Sequence, residues 1–172
     1  MTDLPRSDEI IPAPEIQAAL LRMAREISAR LRQSNPLAIT VMNGGLIFAG
    51  QLLPLLEFEL ECSYVHVRRY GADTKGGELV WIAGPHESVK GRTVLLLDDI
   101  LDEGRTLAAI RLRLLEQGAA EVLTAAFALK ERAAPAAITA DFSGVRVPDR
   151  FVFGFGMDIA GRWRNLPSIR AL

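Results

Sequence analysis

Residues 93–107, TVLLLDDILDEGRTL, constrain the fold more than any other segment of the chain. Their four consecutive apolar residues, 94–97, are typical of a strand that is buried on both faces of a parallel sheet. Asp98 and Asp99 follow directly, and ligands of open α/β sheets bind beyond the carboxyl ends of the strands. The segment therefore predicts a central strand that carries two carboxylates to a binding edge. The alternative is that Asp99 serves only as a turn residue.

The residues after this strand predict a phosphate site. Residues 102–105 form a short polar loop, and a helix is expected from about Thr106 to Gln117, where Gly118 closes it. Backbone N–H groups at a helix start are unpaired and carry partial positive charge, which suits a phosphate. Gly104 allows close approach of the backbone, and the Thr106 hydroxyl either caps the helix or donates to the ligand. Carboxylates beside such a site fit sugar hydroxyls and a hydrated Mg²⁺.

The rest of the chain alternates between helical and strand patterns. Apolar residues at steps of three and four predict a helix over 16–31. A second helix is expected at 46–56, and strands are expected at 37–42, 59–67, 79–84, 122–130 and 150–155. Residues 68–78 are polar and glycine-rich, which predicts a long loop that acts as a lid. We expect one α/β domain over 1–172, a mainly parallel sheet flanked by helices, with a small flap formed by the terminal segments.

Composition narrows the class of protein. A hydrophobic fraction of 49% in 172 residues is enough for a full core. The net charge of −1 lacks the basic field that nucleic acid requires. No apolar run approaches the roughly 20 residues of a membrane span, and the N terminus does not resemble a signal peptide. The single Cys62 cannot form an internal disulfide. We therefore expect a soluble cytoplasmic protein that binds neither nucleic acid nor membrane.

Other chemistries fit the sequence less well. A strand that ends in two aspartates also occurs in P-loop ATPases, but the chain has no G-x-x-x-x-G-K-[ST] segment. The third glycine of GFGMDIAG is misplaced for a dinucleotide fingerprint. Ser63 and His66 lie on an expected strand without a third partner, and His66 and His86 alone do not make a metal site. We assign no role to these three residues.

The segment VLLLDDILDEGRTL resembles the signature that binds phosphoribosyl pyrophosphate (PRPP) in type I phosphoribosyltransferases. Three further segments, in the same order along the chain, are similar to the hypoxanthine-guanine branch of that family. They are MNGG at 42–45, Lys130 at the end of the next buried strand, and DRFVFGFGMDIAGRWRNL at 149–166. The resemblance extends from about residue 37 to residue 166 and implies the type I phosphoribosyltransferase fold.

The resemblance implies a role for each residue of the signature. Asp98 and Asp99 would hold the ribose 2′- and 3′-hydroxyls, and Asp98 would also bind Mg²⁺. Asp102 would act as general base or acid at the purine N7. The 5′-phosphate would be bound by the next four residues, Glu103, Gly104, Arg105 and Thr106. Glu103 departs from the small or hydroxyl residue often found there, so its carboxylate must point outward or reach another group.

Four later residues are implied to bind the purine. Lys130 would donate a hydrogen bond to the purine O6, which favours hypoxanthine and guanine over adenine. Phe151 would stack on the base, and the backbone of Val152 would meet its Watson–Crick edge. Asp158, beside the base, would bind a second Mg²⁺.

Pyrophosphate is implied to bind between the MNGG segment and the C-terminal tail. Asn43 and Gly44 would offer backbone groups, with a strained or cis peptide at the bond between them, although many relatives carry a lysine or arginine in place of Asn43. Arg164 would bind pyrophosphate through its rigid fork of donors. In the expected lid, Tyr70 fits a Ser-Tyr pair of the family, and Arg69 replaces the serine and would add charge.

These assignments predict a Mg²⁺-dependent enzyme that converts hypoxanthine or guanine plus PRPP to IMP or GMP plus pyrophosphate. Its family implies a homodimer or homotetramer. Two alternatives stay open at this point: a phosphoribosyltransferase for xanthine, adenine or a pyrimidine, and a regulator that senses PRPP or nucleotides with the same fold. The net charge of −1 and the presence of Asp102 favour an enzyme over a regulator.

Overall fold

Two sheets and three α-helices supply most of the regular structure of residues 4–69 and 79–172, which this computed structural model of the chain describes. The helices are α1 (Ala13–Leu31), α2 (Gly45–Leu52), which a 3₁₀ turn at Leu53–Leu55 follows, and α3 (Arg105–Glu116). The strands are β1 (Asp8–Ile11), β2 (Leu37–Met42), β3 (Glu61–Arg69), β4 (Leu79–Ala83), β5 (Thr93–Leu101), β6 (Glu121–Lys130), β7 (Phe142–Val147), β8 (Val152–Phe153) and β9 (Ile169–Ala171).

The larger sheet has the strand order β4-β3-β2-β5-β6-β7. Strands β3, β2, β5, β6 and β7 run parallel, and β4 pairs antiparallel with β3. Strand β5 lies inside the sheet, and its apolar residues 94–97 are fully buried, as the uninterrupted apolar run predicts. The expected fold class, a mainly parallel sheet flanked by helices, is confirmed.

Helices cover both faces of this sheet because each presents one apolar stripe. In α1 the stripe consists of Ile16, Leu20, Met23, Ile27 and Leu31, all fully buried. Helix α1 packs against β7 and α2, whereas α3 packs against β5 and β6 with Leu107, Ile110 and Leu114. Each fully buried aliphatic side chain of this size contributes roughly 1.5–3 kcal/mol by its removal from water.

The flap is a three-stranded sheet in which β9 lies between β1 and β8. Both pairings are antiparallel, and they join the N-terminal segment to the C-terminal segment of the described chain. Strand β8 has two residues, fewer than the expected strand over 150–155, since the backbone turns at Gly154 with φ of +94°. The two sheets together confirm the fold class with its flap.

Several element boundaries differ from the sequence expectation. Strand β3 continues to Arg69 because Arg68 and Arg69 pair with Val80 and Leu79, so the first two residues of the expected loop belong to a strand. The expected helix over 46–56 ends at Leu52, and the 3₁₀ turn that follows contains a proline. Strand β7 was not predicted from the sequence.

Among residues 4–69 and 79–172, no helix is both long enough and apolar enough to cross a membrane.

Candidate active site

A cavity of about 480 Å³ opens at the carboxyl ends of β2 and β5. It brings together three segments that are far apart in the sequence: the end of β2, the loop between β5 and α3, and the tail that follows β8. Its lining residues are Val41, Met42, Asn43, Gly44, Val67, Asp98, Asp99, Ile100, Leu101, Asp102, Glu103, Gly104, Arg105, Thr106, Leu107, Asp158 and Arg164. The acid pair, the four residues expected at the 5′-phosphate, and the residues expected at pyrophosphate and at the second Mg²⁺ therefore share one cavity.

Asp98 and Asp99 form an adjacent carboxyl pair in which Asp99 is buried and Asp98 is partly buried. The backbone N–H of Asp99 donates to Asp98 Oδ1 at 3.1 Å, and the N–H of Ile100 donates to Asp99 Oδ1 at 2.8 Å. Burial raises the pKa of both carboxyls, and the charge of Asp99 raises the pKa of Asp98 further. The surrounding protein therefore offers too little positive charge and too few hydrogen-bond donors to stabilise both carboxylates in their ionised form. Sugar hydroxyls or a hydrated cation are suited to supply them.

The backbone of the MNGG segment passes directly over Asp99. A Cβ added to Gly44 would lie 2.3 Å from Asp99 Oδ2, so a side chain at this position would overlap the carboxylate. The cis peptide lies at Met42–Asn43, where β2 ends, one bond earlier than the expected Asn43–Gly44. Asn43 is exposed at the cavity.

The helix beside the acid pair begins one residue earlier than expected. Gly104 is the N-cap of α3, with φ of +73° in the left-handed region that glycine adopts without strain. Arg105 is the first helical residue and Thr106 the second, so the expected capping role of Thr106 is wrong. The start of this 12-residue helix lines the cavity, where the positive end of the helix dipole suits an anion.

Asp102 is held by two cations. Lys130 Nζ donates to Asp102 Oδ2 at 2.9 Å, and Arg132 Nη1 donates to Oδ1. Burial raises the pKa of Asp102, but the hydrogen bonds and charges of Lys130 and Arg132 outweigh it and hold that pKa below its usual range. Asp102 is therefore an ionised hydrogen-bond acceptor in this structure, with both oxygens in use.

The carboxylate of Glu103 contacts two arginines, in line with the expectation that it points outward or reaches another group. Its Oε2 lies 3.2 Å from Arg105 Nε, and its Oε1 lies 3.7 Å from Arg132 Nη2. Five side chains thus form a chain of alternating charge in the order Lys130, Asp102, Arg132, Glu103 and Arg105. Sequence reasoning missed Arg132. The signal that could have found it is the acid at Glu103 together with a cation two residues after Lys130.

Arg164 links the tail to the acid pair. Its Nη2 lies 2.5 Å from Asp158 Oδ1, its Nη1 donates to the carbonyl of Gly156 at 2.5 Å, and Nη1 lies 4.0 Å from Asp99 Oδ2. Asp158 also accepts a hydrogen bond from the backbone N–H of Gly161 at 2.6 Å.

The residues expected to bind the purine are less closely gathered. Lys130 lines a second cavity, of about 520 Å³, which shares Leu101 and Asp102 with the first. Phe151 is 52% exposed, and Val152 is buried in β8, where it pairs with Ala171. Neither of these two residues lines either of these cavities. In the expected lid, Arg69 ends β3, and Tyr70 and the side chain of Arg69 lie outside the described residues.

The carboxylate ligands in the cavity fit a hydrated Mg²⁺ better than a metal that is bound by protein groups alone. Within the described part of the chain, no three His, Cys, Asp or Glu side chains are grouped so that they could hold a metal ion. Mg²⁺ keeps several waters and is usually bound by one or two carboxylates together with substrate phosphates. The carboxylates of Asp98, Asp99 and Asp158 line the cavity and meet this requirement.

A buried strand that carries two adjacent carboxylates into one cavity with the start of a helix is the arrangement that the sequence predicts for a sugar-phosphate site. Residues 6–160 match the phosphoribosyl transferase domain family, and the chain belongs to that family. The family expected from the sequence is confirmed.

Known relatives agree with this assignment. The chain is similar to the hypoxanthine-guanine phosphoribosyltransferase of Bacillus subtilis, with 35% identity over 95% of this chain and 91% of the relative. It is 36% identical over 95% of its length to the bifunctional protein TilS/HprT of Listeria innocua, of which it spans 25%. A solved hypoxanthine phosphoribosyltransferase from Staphylococcus aureus has a TM-score of 0.90 at 25% identity, covering 96% of this chain and 90% of that one.

Proposed function

We propose that this protein is a purine phosphoribosyltransferase that converts hypoxanthine or guanine and PRPP to IMP or GMP and pyrophosphate, with Mg²⁺. One observation carries the proposal: the acid pair Asp98 and Asp99 shares one cavity with the start of α3 at Gly104 and Arg105 and with Arg164. This arrangement offers acceptors for ribose hydroxyls and donors for a phosphate at a fixed spacing. The relatives from Bacillus subtilis and Staphylococcus aureus support the choice of purine.

The proposed reaction displaces pyrophosphate from C1 of PRPP by N9 of the purine, with inversion at C1. Like other glycosyl transfers it passes through an oxocarbenium-like state. Asp98 and Asp99 hold the ribose hydroxyls, and residues 103–106 hold the 5′-phosphate through the helix start. The sugar is thus fixed at two places while C1 remains open to the base and to the leaving group.

The base is recognised through N7 and O6 in this proposal. The ionised carboxylate of Asp102 accepts the hydrogen bond from N7–H and takes that proton as the N9–C1 bond forms, and the Lys130 ammonium donates to O6. Phe151, which is half exposed, offers an aromatic face for stacking, and Val152 contributes backbone groups. An amino group at position 6 of the purine would place a donor opposite the Lys130 donor, which disfavours adenine.

Arg164 and the MNGG segment bind the leaving pyrophosphate. Asn43 and Gly44 contribute backbone groups, and Arg164 contributes its planar fork. Arg69 and Tyr70 are proposed to add contacts from the segment that follows β3. When Mg²⁺ is bound, it supplies the positive charge that neutralises the leaving group, and Asp98 and Asp158 are the side chains that would hold it.

A spectrophotometric assay tests the proposal. Purified protein would be given PRPP and Mg²⁺ with hypoxanthine, guanine, xanthine, adenine or a pyrimidine in separate reactions, with and without EDTA. We expect IMP and GMP, and loss of both with EDTA. We also expect kcat/KM to fall about 10–100-fold in Asp99→Asn, which removes a charged acceptor from the ribose site. Asp8→Asn, which changes an exposed carboxylate on the flap, is the control.

The outcomes separate the alternatives. Product from xanthine, adenine or a pyrimidine alone would keep the transferase and replace the acceptor. No product from any base, with PRPP binding observed by calorimetry, would instead identify a PRPP-sensing regulator.

We also propose that the protein is a homodimer or homotetramer in a reducing compartment, without a nucleic-acid partner. Helix α2 buries Phe48 and Leu52 in the core but leaves Leu46 half exposed, so it can add an apolar contact to a second copy. The net charge of −1 and the single Cys62 support the other two points. Light scattering after gel filtration measures the mass, and a monomer would refute the oligomer.

A further inference from the structure

Asp102 and Lys130 form an ion pair with each other in this structure. While they are paired, each side chain engages the other and not the purine. In the proposed function, Asp102 faces the purine N7 and Lys130 faces O6. In this structure the Lys130 ammonium lies 2.9 Å from Asp102 Oδ2, and the Lys130 side chain is 13% exposed. When Lys130 turns to O6, Asp102 loses one of its counter-charges. A partly buried carboxylate that loses its cation becomes easier to protonate, and a protonated Asp102 is a poorer acceptor for N7–H.

Arg132 can keep Asp102 ionised after Lys130 moves away, because it binds the other oxygen of the same carboxylate. Its Nη1 donates to Asp102 Oδ1, while Nη2 lies 3.7 Å from Glu103 Oε1. Arg132 is thus bound on two sides by acids that follow β5, and it does not need to move when Lys130 leaves Asp102. Glu103, in turn, is paired at 3.2 Å with Arg105 at the first position of α3.

We propose that Arg132 is a positioning residue that holds Asp102 oriented and ionised, so that Lys130 is free to bind the purine. The inference rests on the proposed function and deepens it. Arg132 acts through Asp102 and touches no reacting atom. Glu103 sets the direction of the Arg132 guanidinium, which gives this acid a role away from the phosphate that binds beside it.

The charges around Asp102 fix the sign of the expected pH effect. Two cations face it, Lys130 from β6 and Arg132 from the segment after β6, and Glu103 is the acid that adjoins them. Asp149, before β8, also acts on Arg132. Both cations lower the pKa of Asp102, so loss of Arg132 raises that pKa. The ionised form is then lost at a higher pH, and the acidic limb of the rate profile moves to higher pH.

The test is the pH profile of kcat/KM for hypoxanthine in Arg132→Gln, Arg132→Met and Arg132→Lys. The two uncharged variants should lower kcat/KM about tenfold at pH 7, since a hydrogen bond to a charged group is at stake. Their acidic limb should move to higher pH, with KM for PRPP within about twofold of the wild-type value. Arg132→Lys keeps a cation and should restore most of the acidic limb, but a single ammonium cannot reproduce the two-sided contact of the guanidinium, so kcat/KM should recover only in part.

Arg146→Gln is the matched control. Arg146 lines the same second cavity as Arg132, is exposed, and has no ion pair within residues 4–69 and 79–172. This variant should keep the wild-type profile, which separates the role of Arg132 from a general loss of positive charge. Arg132→Met keeps the aliphatic stem of the side chain, so it serves if Arg132→Gln does not fold.

The outcomes distinguish the inference from the function beneath it. If the wild-type protein and Arg146→Gln are active and the uncharged Arg132 variants keep the wild-type limb and hypoxanthine kinetics, the positioning role is wrong and the proposed function stands. If the uncharged variants lose PRPP and hypoxanthine affinity equally, Arg132 is merely structural. If the wild-type protein forms no nucleotide from any base, both the function and the inference fail.

Discussion

Gly44 is the position where a single added methyl group should disturb both the packing around Asp99 and the binding of PRPP. The backbone φ of Gly44 is −57° and its ψ is −52°, which alanine adopts without strain, so Gly44→Ala changes packing alone. The added Cβ would lie 2.3 Å from Oδ2, 2.6 Å from Cγ and 2.7 Å from Oδ1 of Asp99. Asp99 is only 7% exposed, so the carboxylate has little room to withdraw.

The magnitude follows from these distances. Ordinary contacts with a Cβ begin at 3.4 Å, so the carboxylate and the loop must separate by about 1 Å. Overpacking of this kind costs about 1–3 kcal/mol, and in a domain of this size each kcal/mol lowers Tm by about 2–4 °C. Because Asp99 would leave its place beside the ribose, we expect KM for PRPP to rise about tenfold for each 1.4 kcal/mol of lost binding.

Gly50→Ala is the control within the same helix. A Cβ added to Gly50 meets no atom within 4 Å, and alanine stabilises a helix interior by about 0.5–1 kcal/mol relative to glycine. Thermal unfolding and PRPP kinetics would be measured for both variants. The double variant Gly44→Ala, Asp99→Ala tests the cause, since the cost of the methyl group should shrink when the carboxylate is absent. A Gly44→Ala protein with wild-type Tm and wild-type KM for PRPP would refute the reasoning.

Three further outcomes are expected. Lys130→Met should lower kcat/KM for hypoxanthine about 10–100-fold in steady-state assays, since a charged hydrogen bond is worth about 1.5–3 kcal/mol; an unchanged value would remove Lys130 from the base site. Asp158→Asn should raise the Mg²⁺ concentration that gives half-maximal activity, because one anionic oxygen ligand is lost, and an unmoved Mg²⁺ titration would assign the metal elsewhere. Ile27→Ala should lower the free energy of unfolding by about 2–5 kcal/mol in urea, because Ile27 is fully buried. Its KM values should stay unchanged, as α1 does not line the cavity, and altered substrate kinetics would contradict that separation.

The structure explains several boundaries that local patterns did not predict. Strand β7 escaped sequence reasoning because Gly144 interrupts it, and the reason for that glycine is a tertiary contact. A Cβ there would lie 2.5 Å from the carbonyl oxygen of Phe127 in β6. Likewise β3 continues through two arginines because β4 offers them backbone partners. Propensity within one segment carries no information about a partner strand.

The candidate site likewise has one part that local sequence patterns predict and another that only the tertiary structure shows. The sequence placed Asp98, Asp99 and residues 102–106 at one edge of the sheet, since an apolar run, a glycine and a helical pattern are local signals with fixed geometry. It did not predict that Arg132 shares Asp102 with Lys130, because that pairing depends on the path of the segment after β6. Single charged residues in an irregular segment have no periodicity from which to infer a partner.

The sequence by itself determined the α/β class, the central buried strand, the stripe of α1 and the position of the acid pair. These features depend on burial patterns and on residues that are adjacent along the chain. Only the tertiary structure decided that Gly44 lies against Asp99, that Arg164 lies 4.0 Å from Asp99, and that five charges connect Lys130 to Arg105. These contacts join residues distant in sequence, and they are set by how the sheet edge, the flap and the loops pack in three dimensions.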